Sequence, residues 1–162
     1  MKNHLKKTLI NLAVGELVAV IVFWINFFIF KKYITDTVSI IPVICTLSLL
    51  SFILIQGSIF WLILLKRISN KNFAKTSLGK IYNHLRRLDI ILLYLSILIL
   101  IVNHQTLTTT IISLSIWIFA IIEYINYYKV RLSYKPNVLI NYIFHGKIRK
   151  SRIAREIESY KN

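Results

Sequence analysis

Residues 39–65, SIIPVICTLSLLSFILIQGSIFWLILL, contain no formally charged side chain. A helix crosses the hydrocarbon core of a bilayer with roughly 20 apolar residues, so this stretch is long enough to span it. Backbone polar groups in lipid must be bonded within the segment, which makes a helix the expected conformation. Working toward the N-terminus, residues 8–30 are apolar apart from a few polar positions and carry one charge, Glu16. Working toward the C-terminus, residues 90–122 again carry none. That is too long for one ordinary span and suits two, joined by the polar stretch 103–110. The expected spans are therefore about 8–30, 40–65, 88–105 and 107–128.

The whole chain agrees with these runs. Its 162 residues are 56% hydrophobic, with six acidic side chains and a net charge of +15, which excludes an ordinary soluble domain. Lys2, Lys6 and Lys7 precede an apolar run, as in a signal peptide. The run is too long for one, and no small-residue cleavage site follows it, so the first span is expected to be retained. Cys45 is the single cysteine, which leaves no intramolecular disulfide and no cysteine cluster for a metal.

Charge sets the expected orientation, because short basic loops stay on the cytoplasmic side. Three lysines precede the first span, seven basic residues lie between 66 and 87, and nine follow Tyr128. Only Lys31 and Lys32 fall on the other side. Both termini are thus expected in the cytoplasm, in the cell (inner) membrane, with the basic face drawn to anionic lipid. Nucleic acid is not an expected partner: it would need stacking aromatics or a recognition helix among the basic residues, and neither is separable here from membrane anchoring.

The fold class expected is an all-α integral membrane protein: a bundle of four transmembrane helices over residues 1–132, followed by a cytoplasmic tail over 133–162. Pro42 is placed in the first turn of the second span, where proline is tolerated. Leu78, Ile81, Tyr82, Leu85 and Leu88 recur at helical spacing and describe an interfacial helix running straight into the third span. In the tail, Pro136 marks a turn and residues 138–144 are a short apolar stretch. Beyond it, Ile153, Ala154, Ile157 and Tyr160 share one face, with Arg149, Lys150, Arg152 and Arg155 largely on others. This is the pattern of a basic amphipathic helix lying on the membrane surface.

Acidic groups inside apolar spans cost about 2.5–3.5 kcal/mol each on insertion scales, so each asks for a reason. Glu16 lies nine residues past Lys7 and Gln56 ten before Lys66, which puts them at matching depths of about 13 and 15 Å at the helical rise. A Glu16 to Gln56 hydrogen bond is expected. Glu123, Tyr127 and Arg131 are spaced to share a face of the fourth helix, with Asn126 one step round. Asp89 follows Arg86 at a spacing that allows an ion pair. Glu16, Gln56, Asp89, Glu123, Asn126, Tyr127 and Arg131, with Asn11 and Tyr94, are expected to converge on a polar cavity open toward the cytoplasm. Two readings stay open: hydrogen-bonded glue between helices, or a site for a proton, cation, lipid headgroup or partner helix.

Catalytic signals are weak. The four histidines are scattered, the serines lack a base on their own helix face, and no glycine-rich phosphate loop is present. Trp24, Trp61 and Trp117 are assigned no role. No catalytic residue, metal or cofactor is expected. The function expected is that of a small accessory, regulatory or immunity-type membrane component, acting through helix and lipid contacts, with a membrane-protein partner or further copies of itself. The alternatives are a small transporter or channel subunit using the intramembrane glutamates, or a membrane-embedded lipid-modifying enzyme.

Overall fold

A computed structural model describes residues 2–33, 37–70, 73–74, 77–103, 106–130 and 150–161. Most of these residues are helical: α1 (Lys2–Phe30), α2 (Thr37–Ser69), α3 (Ser77–Val102), α4 (Leu107–Tyr128) and α5 (Arg152–Lys161), with a 3-10 turn at Lys31–Tyr33 after α1. Three helices, α1, α2 and α4, are long and apolar enough to cross a membrane. At 26 residues α3 has the length, but Arg86, Arg87 and Asp89 interrupt its apolar run.

The second helix is the centre of the arrangement, and α1, α3 and α4 pack on it. It is the most buried of the three apolar helices, and Leu47, Leu50, Ile53 and Phe60 along it are each at most 1% exposed. Hydroxyls and indoles lock its neighbours. Ser58 donates to the Ala13 carbonyl of α1 at 2.9 Å, and the Trp24 indole of α1 donates to Ser51 at 3.0 Å. These two pairings fix α1 and α2 as antiparallel. The fourth helix runs parallel to α2: Ile116 packs on the cluster of Phe27, Val43 and Leu47 at one end, and Tyr128 reaches Gln56 at the other.

Pro42 is inside α2 rather than in its first turn, because the helix starts earlier, at Thr37. Proline removes one backbone donor. The Thr46 hydroxyl, four residues on, donates to the Pro42 carbonyl at 2.9 Å and gives the helix a local side-chain bond there. No break accompanies Gln56, Gly57 and Ser58, which lie within the continuous helix.

The expectation that residues 78–88 run unbroken into the apolar part of α3 holds, since one helix covers both. Leu78 and Tyr82 from this stripe are buried, whereas Ile81 and Leu88 are exposed. What covers Leu78 and Tyr82 includes α5, whose Ile153 and Ile157 are each 2% exposed and join the same apolar cluster. The apolar face of α5, expected on the membrane surface, is therefore buried on α3 and α4, and Tyr160 falls outside it at 46% exposure. Gly79 permits this docking: a Cβ there would sit 2.5 Å from the Glu156 carbonyl oxygen.

Arg67 fastens the same end. Its guanidinium donates to the carbonyls of Phe73 (3.1 Å) and Ala74 (3.0 Å) and to the Glu156 carboxylate of α5 at 2.7 Å. Ala74 has φ of 53°, the left-handed geometry that turns the chain into α3. Ser151 caps α5, accepting from the Ala154 amide at 3.0 Å while its hydroxyl donates to the Tyr127 carbonyl. Val130 and Lys150 form an antiparallel bridge beside it.

Candidate functional site

Polar side chains inside the helices fall into two groups, not one. The first surrounds Gln56. Its amide nitrogen donates to Asp89 Oδ1 of α3 at 2.8 Å, its amide oxygen accepts from the Tyr128 hydroxyl of α4 at 2.6 Å, and its backbone carbonyl accepts from the Tyr82 hydroxyl at 2.6 Å. Asp89 is wholly buried and Gln56 is 5% exposed. Asp89 Oδ2 has no hydrogen-bond partner. Phe60 stacks edge-on against Tyr82, and Tyr124 lies against Tyr128, closing the group with aromatic rings.

The second group gathers around Glu16. Its Oε1 accepts from the Trp61 indole N–H at 2.7 Å, and its Oε2 is buried beside the Tyr127 hydroxyl. Glu16 Oε2 and the Tyr127 hydroxyl both meet α2 at Gly57, where a Cβ would lie 2.5 Å from each oxygen. Beside them the Asn126 amide donates to Glu123 Oε2 at 3.2 Å. A cavity of about 110 Å³ opens here between α1, α4 and α5. Glu16, Trp61, Asn126 and Tyr127 provide its polar wall, Leu9 and Leu12 are on its apolar wall, and Arg152 lines it from α5.

The Glu16 to Gln56 hydrogen bond is not formed. Gln56 and Gly57 are neighbours in sequence and so point about 100° apart around a helix with 3.6 residues per turn; Gly57 faces α1, and Gln56 faces α3 and α4. Nor does Asp89 pair with Arg86. Asp89 is turned inward to Gln56, while Arg86 reaches Asn83 at 3.5 Å.

Of the residues expected to converge, Glu16, Asn126 and Tyr127 line the cavity and Glu123 stands behind Asn126. Gln56 and Asp89 belong to the closed network instead. Tyr94, at 70% exposure, and Asn11 point outward, and Arg131 lies outside the described residues. Among the basic surface residues, Lys150 pairs with Glu158 at 2.7 Å, Arg155 is exposed and Arg152 lines the cavity. Arg149, the turn at Pro136 and residues 138–144 also lie outside the described residues.

Four participants were not foreseen: Trp61, Tyr128, Gly57 and the hydroxyl of Tyr82. Trp61 stands one helical turn after Gly57, on the face that meets α1, a spacing visible in the sequence. Each indole N–H of Trp24, Trp61 and Trp117 in fact finds an acceptor on another helix, as buried tryptophans generally do. A second cavity, of about 310 Å³, is apolar and lies among Phe23, Phe27, Leu47 and Ile116 at the opposite end of the helices. No family model, no curated protein and no solved structure matches the chain.

Proposed function

We propose that the chain is a four-span protein of the cell membrane with both termini cytoplasmic, serving a larger membrane system as an accessory, regulatory or immunity-type component. The observation that carries this reading is the bonding of Gln56. Both ends of its side-chain amide and its backbone carbonyl are held by α3 and α4, so this buried amide cements helices and offers no open coordination for a moving ion. Beyond it, Phe27, Val43 and Leu47 line the other end of α2 with apolar side chains beside the second cavity. A conducting path is not favoured by such a wall.

The bonding of Asp89 also supports α3 as the fourth span. A carboxyl group facing α2 does not meet lipid, and Arg86 and Arg87 sit close to the helix start, where their long stems reach headgroups. With them, Lys6, Lys7, Lys66, Arg67, Lys129, Lys150 and Arg152 stand at one end of the helices, the arrangement retained on the cytoplasmic side.

Copurification from native membranes tests the reading, with the wild type and a Glu16→Gln, Glu123→Gln double variant compared by mass spectrometry. A membrane protein recovered with the wild type in stoichiometric amount is the expected outcome. Wild type that is recovered alone and catalyses ion flux in proteoliposomes, with flux lost in the variant, would replace the accessory role by transport.

A further inference from the structure

The wall of the second cavity, of about 310 Å³, restricts what it can hold. Phe23, Phe27, Leu47, Ile112 and Ile116 bring no hydrogen-bonding side-chain atoms to it, and Asn26, the one polar residue on the wall, donates its amide to the Val22 carbonyl of its own helix at 2.7 Å. Ions and water-borne solutes would lose their hydration in such a space without replacement. A helix does not fit either: with side chains it is about 10–12 Å across, and one turn of that cylinder, about 5.4 Å long, takes up more than about 400 Å³. A flexible apolar chain does.

The cavity is a slot along the helices. On α1 its wall runs from Phe23 to Phe30, seven residues on, or about 10 Å at the helical rise. α1 ends at Phe30, and α4 begins at Leu107, five residues before Ile112. The mouth of the slot is thus at the helix ends, and its floor lies toward the middle of the bundle. Charge at the mouth is positive. Lys31 follows Phe27 by the same four residues that separate Phe27 from Phe23, and stands exposed at the top of that stripe. α2 and α4 both start at this end, where their N-terminal amides bear partial positive charge. Residues 31–36 hold two lysines and one aspartate.

We infer that this cavity seats one acyl chain of an anionic phospholipid, the chain lying between α1, α2 and α4 and the headgroup meeting Lys31. The lysine ammonium offers three donors to the phosphate. The lipid then stands in the sense a bilayer requires, with its phosphate at the helix ends and its chain pointing to the centre. In the orientation proposed above it belongs to the outer leaflet, opposite the basic cytoplasmic face. The inference rests on the membrane-embedded reading.

The test is native mass spectrometry of the full chain purified in detergent and titrated with phosphatidylglycerol or phosphatidylcholine of identical acyl chains. Phosphatidylglycerol should be retained about fivefold better, the scale of one basic side chain near a membrane surface. Lys31→Gln should remove that preference, and the Lys6→Gln, Lys7→Gln double variant, exposed at the opposite end, should keep it. Ile112→Trp, which fills the slot and leaves the lysine in place, should cut retention of both lipids by about tenfold or more, the loss of roughly two buried methylenes; Ile112→Phe decides the matter if the tryptophan variant does not fold. Equal retention of the two lipids by the wild type, retention unchanged by filling the slot, a preference lost in the Lys6, Lys7 variant, displacement by equimolar glycerol phosphate, or a second copy of the chain that dissociates on filling the slot would overturn the assignment. Carbonate extraction separates the two levels: protein that stays in the membrane but shows no lipid preference defeats the cavity assignment alone, whereas protein released into the supernatant defeats the membrane reading with it.

Discussion

The amide nitrogen of Gln56 lies 2.8 Å from Asp89 Oδ1, and both side chains are removed from solvent. Removing one partner strands the other in the interior. Gln56→Leu should therefore destabilise the protein by about 2–4 kcal/mol, since it deprives Asp89 and Tyr128 together. Asp89→Asn preserves an acceptor for the same donor and should cost less than about 1.5 kcal/mol. Reversible denaturation in mixed micelles measures both, and a Gln56→Leu variant as stable as the wild type would remove the network from any structural role.

Two glycines on facing helices should respond in opposite ways. Gly57→Ala forces a methyl group against Glu16 Oε2 and the Tyr127 hydroxyl and should cost about 1–3 kcal/mol as α1 is pushed away. Gly15→Ala meets open space, and on propensity alone should be neutral or up to about 1 kcal/mol stabilising. The difference between the two variants in the same denaturation assay is the quantity to read; equal effects would mean that α1 does not pack on Gly57.

Trp61→Phe keeps an aromatic ring and deletes the N–H that Glu16 Oε1 accepts. The expected loss is about 1–3 kcal/mol, from an acceptor left without its donor. Glu16→Gln made in addition should recover part of that loss, because the uncharged amide no longer demands the same solvation. A double-variant cycle in which the two effects simply add would show that the pair is not coupled.

Docking of α5 depends on two isoleucines and an ion pair. Ile157→Ala should weaken it by about 2–4 kcal/mol, the usual cost of truncating a buried isoleucine, and should be seen as faster hydrogen exchange over Arg152–Lys161 with α2 unchanged. Gly79→Val should do the same by blocking the approach of the Glu156 carbonyl. Unaltered exchange in both variants would mean that α5 is held elsewhere.

Topology has a direct check in Cys45, the single cysteine, which is partly exposed near the start of α2. With both termini cytoplasmic, a membrane-impermeant thiol reagent should modify it only from the outside of intact cells. Modification confined to inverted vesicles would reverse the proposed orientation.

The helices were legible in the sequence because lipid imposes a length and a composition on each apolar run; residues 39–65 needed no tertiary information to be read. The polar positions Glu16, Gln56, Asp89, Asn126 and Tyr127 were legible for the same reason, as departures from an apolar background. Their pairing was not. Matching depth put Glu16 beside Gln56, but depth fixes only one coordinate of a helical residue; the rotation of α2, set by the missing side chain of Gly57, fixes the other and turns Gln56 away. The tail shows a similar gap. An amphipathic face such as Ile153 and Ile157 records that something apolar will cover it, and the sequence pattern is the same whether that cover is lipid or α3.

Gln56 also sets an order of events during synthesis. Its partners are 33 and 72 residues further along the chain, whereas α1, against which α2 packs, precedes it. In the membrane-embedded reading proposed above, α2 enters the bilayer before either partner exists: its amide nitrogen waits for Asp89 of α3, and its amide oxygen stays unsatisfied until α4 has been made. The early hairpin of α1 and α2 is thus an unfinished intermediate with an exposed hydrogen-bonding group, and the arrival of the last apolar helix is what completes it.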